Sequence, residues 1–92
     1  MVSGVIVNKI KYYVYVLKSK IVKRVYIGHT DNTKRRLNEH NSGKTKSTKA
    51  YRPYEIMYTK GFETREAAIR HEKELKKGYT RERLYKEAYS QK

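Results

Sequence analysis

Between positions 12 and 18 the chain reads Tyr-Tyr-Val-Tyr-Val-Leu-Lys, a run dominated by aromatic and β-branched residues. Such side chains crowd a helix but fit a pleated, half-buried surface, so the run predicts a β-strand. A shorter run, Val25-Tyr26-Ile27, ends at Gly28 and predicts a second strand. The polar connector between them, with Ser19, Lys20 and Lys23, makes the pair an antiparallel hairpin, although no Asn-Gly or Asp-Gly turn marks it. Tyr54 to Tyr58 alternates as a third strand.

The rest of the chain punctuates as helices and loops. Asp31, Asn32 and Thr33 are cap-type residues ahead of a short helix over Lys34 to His40. Residues 41–53 hold Asn41-Ser42-Gly43, three lysines and Pro53, and they read as a loop of the length that often carries function. Thr64 caps a longer helix through Lys77, with Gly78 placed where a helix C-terminus favours a left-handed residue. Thr80 to Tyr89 forms the last helix. Residues 1–10 carry little pattern and fit either a loose leader or an added edge strand. The order β-β-α-β-α-α predicts an α+β domain, a small three-stranded antiparallel sheet flanked by helices. Ninety-two residues suffice for one such core and not two.

Charge narrows the partners. Lys and Arg number 23 against 9 Asp and Glu, a net charge of +14. That much self-repulsion weakens a compact state, which points to an anionic partner, nucleic acid first. Residues 34–52 hold seven Lys/Arg against one Glu, 7 − 1 = +6, with too few acids to pair internally. Lys34, Arg35, Lys44, Lys46, Lys49 and Arg52 are therefore the candidate nucleic-acid contacts. Residues 63–92 hold nine against six and read as a solvated helical surface. No stretch approaches the roughly 18 apolar residues of a spanning helix. Val5-Ile6-Val7 is cut short by Asn8-Lys9, and cysteine is absent, so a cytoplasmic protein without a membrane partner is expected.

Glu72 is the most informative single residue. Ala68, Ile69, Leu75 and Tyr79 mark an apolar stripe on the helix from Thr64, and Glu72 falls inside it. An unpaired carboxylate there demands a cation, either a metal or one of the many Lys/Arg residues. Arg36 and His40 share one face of the short helix; taken alone they read as surface groups. Tyr15 and Tyr26 lie on neighbouring strands, but among ten tyrosines a hydroxyl is weak evidence by itself.

Together these residues resemble a known family. Tyr13-Val14-Tyr15 followed by Tyr26-Ile27-Gly28 is similar to the paired tripeptides that name the GIY-YIG nucleases. Arg36 falls ten residues after Tyr26, where the family carries its Arg, and Glu72 falls on a later helix, where it carries its acid. The stretch from Tyr26 to Asn32, continued by Arg35 to Gly43, resembles the small UvrC-like members. So do Arg52-Pro53 and Leu75-Lys76-Lys77-Gly78-Tyr79. The likeness spans about residues 12–85, leaving 1–11 as leader. It departs at Tyr13, which stands for the first Gly of the name, at His29 for a Lys, and at His40 for a Tyr. No match appears for the Asn that closes the UvrC site.

The resemblance implies a metal-dependent endonuclease that hydrolyses DNA phosphodiesters, in DNA repair or recombination. Its implied catalytic set is Tyr15, Tyr26, Arg36, His40 and Glu72. Glu72 would hold a single Mg²⁺ or Mn²⁺ ion, since one carboxylate suits one ion better than two. Arg36 would brace the nonbridging oxygens, and Tyr26 would be the general base, with Tyr15 orienting water or phosphate and His40 or His29 sharing proton transfer. Because a free tyrosine ionises near ~10, Tyr26 would need positive charge from the ion, Arg36 and Lys34. Larger members carry targeting domains, so weak specificity or a partner protein that selects the target is expected here. The competing reading is a non-catalytic basic nucleic-acid-binding module on the same fold.

Overall fold

The computed structural model describes residues 9–90. Most of the leader expected over 1–11 lies outside these residues. Three strands, β1 (Tyr12–Ser19), β2 (Val25–Thr30) and β3 (Tyr54–Phe62), form an antiparallel sheet in the order β2-β1-β3. The helices are α1 (Thr33–Ser42), α2 (Arg65–Leu75) and α3 (Gly78–Tyr89), with a short 3₁₀ turn at Lys49–Tyr51. The α+β architecture read from the sequence is the one observed.

β1 is central because it is apolar on both faces. Val14 and Val16 are completely buried on one side, among Val25, Ile27, Ala68, Leu75, Leu84 and Ala88. Tyr15 and Leu17 are buried on the other, with Tyr54, Tyr26 and Leu37. Alternation along the strand thus splits the core into two layers, α2 and α3 covering one face and α1 the other. A register shift opposite Val16 and Leu17 leaves Met57 as an extra residue in β3. Met57 and Tyr58 consequently both pack on the α2/α3 side.

Several boundaries move for physical reasons. β2 does not end at Gly28 but continues to Thr30. There Gly28 pairs with Tyr15, and its missing side chain makes room for the tyrosine hydroxyl. Asn32 is the N-cap of α1, its side chain accepting from the Arg35 amide at 2.9 Å. α1 outruns His40 and stops at Gly43, whose φ of 88° is the left-handed conformation a side chain resists. Thr64 caps α2 as expected. Gly78, by contrast, does not terminate α2: that helix ends at Leu75 with a right-handed Lys76, and Gly78 opens α3 two residues before the expected start. Tyr79 therefore leaves the apolar stripe and is 71% exposed.

Two side chains lock the layers. Asn41, next to the last residue of α1, donates to the Tyr54 carbonyl at 3.1 Å and accepts from the Tyr54 amide at 2.7 Å, so α1 is stitched to β3 like an extra rung of sheet. On the far side, the Tyr85 and Tyr89 hydroxyls accept the Val25 and Arg24 amides, tying α3 to the base of the hairpin.

Candidate active site

The sequence set divides into two groups on either side of the edge strand β2. On the α1 face, Tyr15, Tyr26, Arg36 and His40 converge. The Tyr15 hydroxyl lies 3.0 Å from His40 Nε2, and Arg36 Nε donates to the same hydroxyl at 3.3 Å. The Tyr26 ring packs on both, its centroid 4.8 Å from that of His40 and 6.2 Å from that of Tyr15. The Tyr26 hydroxyl makes no hydrogen bond among the described residues.

This convergence follows from backbone arithmetic. Tyr15 and Tyr26 stand on adjacent strands and point to the same face, while Arg36 and His40 are one helical turn apart on the side of α1 that meets them. His40 is not the surface residue its type favours; none of it is exposed. Both its ring nitrogens have partners, Tyr15 at Nε2 and Thr48 at Nδ1, 2.8 Å away. Loss of water pushes the His40 imidazole down to about 4, helped by the Arg36 charge. Burial likewise pushes Tyr15 up to about 12, even though the Arg36 hydrogen bond pulls the other way. Both groups are neutral near pH 7.

Arg36 is held as a cation by Glu39, which takes its Nη1 at 2.8 Å. With Nε on Tyr15, the planar fork is fixed at two corners, and its Nη2 makes no hydrogen bond among the described residues. Arg36 and Glu39 line an open cleft of about 370 Å³ together with Tyr12, His29, Thr30, Asp31, Arg35 and Arg65. Lining that is mostly polar and cationic suits an anion rather than an apolar ligand.

Glu72 approaches from α2, on the opposite face. It does sit in the packed side of the helix, its side chain 16% exposed, but it is not unpaired. His29 Nδ1 lies 2.6 Å from one carboxylate oxygen, and Lys76 donates to the other at 2.7 Å. Burial works against the charged form, yet Lys76 and His29 outweigh it, and the carboxyl is held below its ordinary range. Glu72 makes no direct hydrogen bond to Tyr15, Tyr26 or Arg36. Its charge nonetheless reaches Tyr15, and His29, its partner, stands at the cleft wall.

The candidate nucleic-acid contacts separate as well. Lys46, Lys49 and Arg52 line one surface hollow beside Ala50. Lys34, Lys44, Lys46 and Lys49 make no ion pair among the described residues, which leaves their charge outward. Arg35, however, is engaged by Asp31 at 2.7 Å and by Glu39 at 3.5 Å, so at Arg35, as at Arg36, the charge of this region is paired internally. Sequence reading missed Glu39, Thr48 and the cleft pair Tyr12 and Arg65, whose guanidinium lies 5.3 Å from the Tyr12 ring centre. Only Glu39 had a local signal, three residues after Arg36 on one helix.

No helix among the described residues is long and apolar enough to cross a membrane. The model of the GIY-YIG catalytic domain matches residues 11–90. A UPF0213 protein of Staphylococcus haemolyticus is 40% identical over 67 residues, covering 72% of this chain and 80% of that relative. A UPF0213 protein of Haloquadratum walsbyi is 37% identical over 73 residues, 78% of this chain and 80% of its own length. The solution NMR structure of a UPF0213 protein from Bacillus halodurans is 36% identical, covers 79% of this chain and 80% of its own, and aligns with a TM-score of 0.47. With its paired tripeptides on adjacent strands and nearly all of its length matched, the chain belongs to the GIY-YIG nuclease family, alongside the UPF0213 proteins.

Proposed function

We propose that the protein is a metal-dependent endonuclease that hydrolyses DNA phosphodiester bonds. The observation that carries this reading is the doubly anchored Arg36, its Nη2 corner left for a ligand at the rim of a cationic cleft. Free phosphate oxygens match a guanidinium edge, and a fork that need not reorganise stabilises charge as it develops.

The other roles follow from position and protonation. Tyr26, with its hydroxyl unengaged among the described residues, is the group placed to take a proton from the attacking water. Tyr15 is buried, keeps its proton at neutral pH and holds Arg36 rather than acting as a base. His29 keeps Glu72 oriented across the strand edge.

Glu72 fits a single divalent ion. Its carboxyl is ionised at neutral pH, and among the described residues no group of three or more acids and histidines forms a full protein cage. Mg²⁺ or Mn²⁺ held by one carboxylate, with solvent and phosphate completing the shell, matches that donor set. When bound, the ion would supply Lewis-acid polarisation of the phosphate. The lysines of residues 44–49, with Arg52, would hold flanking backbone and contribute little sequence preference. Repair or recombination is the setting to which the UvrC-like residues point, with a partner protein choosing the target.

A second reading has one observation in its favour: His29 and Lys76 already satisfy Glu72, as a purely structural ion pair would. Plasmid nicking by Glu72→Gln separates the two. A metal ligand predicts loss of cleavage at every Mg²⁺ or Mn²⁺ concentration that supports the wild type, with binding to DNA retained in metal-free buffer. A structural pair predicts a lowered melting temperature with the metal response kept. Full metal-dependent nicking by folded Glu72→Gln protein would sink the metal role.

A further inference from the structure

Behind Arg36 runs a line of hydrogen bonds whose direction can be read from its two ends. At the inner end Thr48, 1% exposed, lies 3.3 Å from the Thr45 carbonyl, which can only accept. Given to that carbonyl, which also takes the Thr48 and Lys49 amides, the single hydroxyl proton leaves the oxygen an acceptor toward His40 Nδ1 at 2.8 Å. His40 then carries its proton on Nδ1, and the bare Nε2 takes the proton of Tyr15 at 3.0 Å. That leaves lone pairs of the Tyr15 oxygen for Arg36 Nε at 3.3 Å, and a guanidinium can only donate. Every donor points the same way, from Arg36 inward to Thr45, an arrangement in which each bond polarises the next.

The opposite order is chemically available. With the Thr48 proton on His40 Nδ1, the imidazole would donate through Nε2 to Tyr15, and the Thr48–Thr45 bond would be unmade. The Tyr15 proton would then be turned outward, toward the cation or into the cleft. Thr48 is the only group in the line whose second contact selects between the two orders.

We propose that Thr48 is a positioning residue: by fixing the His40 tautomer it keeps the Tyr15 proton turned inward onto His40, leaves the Tyr15 lone pairs to Arg36 and so holds the Arg36 fork at the cleft. Neutral His40 and neutral Tyr15 near pH 7 are what this order requires. Its consequence for catalysis rests on the nuclease reading, but the hydrogen-bond order does not.

Nitrogen NMR of the His40 ring in the wild type tests the order directly, at neutral pH and without DNA. A protonated Nδ1 and a bare Nε2 are expected; a protonated Nε2 would overturn the proposal whatever the activity. Thr48→Val keeps the shape and removes the hydroxyl. Its ring should shift toward the other tautomer, and single-turnover nicking of supercoiled plasmid should fall about tenfold, as for other orienting partners. Affinity for the same plasmid in metal-free buffer should stay within twofold. Thr48→Ser should restore tautomer and rate, and it keeps the comparison possible if the valine variant fails to fold. A Thr48→Val protein with a switched tautomer and wild-type nicking overturns the positioning role. If the wild type itself does not nick DNA, the nuclease reading falls and takes that role with it, while the ring nitrogens still decide the order.

Discussion

Replacing Gly28 by alanine should damage the protein chiefly through contact with the Tyr15 hydroxyl. An added Cβ would stand 2.8 Å from the Tyr15 hydroxyl, 3.0 Å from its Cζ and 3.1 Å from Cε2 of Tyr26, all inside ordinary contact. Gly28 lies in a strand, so the backbone tolerates alanine and the cost is steric. The Tyr15 hydroxyl cannot swing aside freely, because His40 and Arg36 hold it and the ring is 2% exposed. Overpacking of this kind costs about 2 kcal/mol, offset by roughly 0.7 kcal/mol from the stiffer unfolded chain. A net loss of about 1–2 kcal/mol should lower the melting temperature by roughly 5–12 °C in a domain of this size. Tyr15→Phe removes the closest of these atoms, while leaving His40 Nε2 without its partner. The double variant should therefore be more stable than the sum of the single losses predicts, by about 1 kcal/mol. Urea melts of the four proteins measure the cycle. Additivity within about 0.3 kcal/mol, or a Gly28→Ala protein as stable as the wild type, would refute the close approach of strand and ring.

Three further outcomes are expected. His40 protonates near 6.5 when unfolded but only near 4 when folded, so between these values the unfolded chain binds more protons. Stability should thus fall by about 2 kcal/mol from pH 7 to pH 5, and urea melts of His40→Gln should lack that part of the slope. Arg36→Ala should lower single-turnover cleavage by about 10²–10³ with a much smaller change in DNA affinity; equal losses in both would make Arg36 a general phosphate contact. Affinity for random duplex should drop steeply between low and moderate salt, and Lys46→Ala with Lys49→Ala should flatten that dependence by about two counterions. An unchanged salt slope in the double variant would move the DNA path away from the hollow at Lys46, Lys49 and Arg52.

The strands, their order along the chain and the starts of α1 and α2 were legible because each rests on local chemistry. The Tyr12–Leu17 run suits a pleat, Asn32 and Thr64 cap through their own side chains, and helical spacing puts Arg36 and His40 on one side. Gly43 and Gly78 show where local chemistry stops deciding. Both follow a predicted helix, yet only Gly43 is left-handed, because α2 is followed at once by another helix into which Gly78 is drawn. Folding alone also set the environment of each candidate group. His40 became fully buried because Thr48, eight residues on, and Tyr15, from the central strand, closed over it. Glu72 acquired His29 across the sheet edge, a pairing between residues 43 positions apart that no periodicity encodes. Sequence by itself determined which residue types stand on which element, since that depends on neighbours in the chain. The tertiary structure decided which proton sits on His40, what holds Arg36 and whether Glu72 is paired, because desolvation and hydrogen bonding depend on neighbours in space.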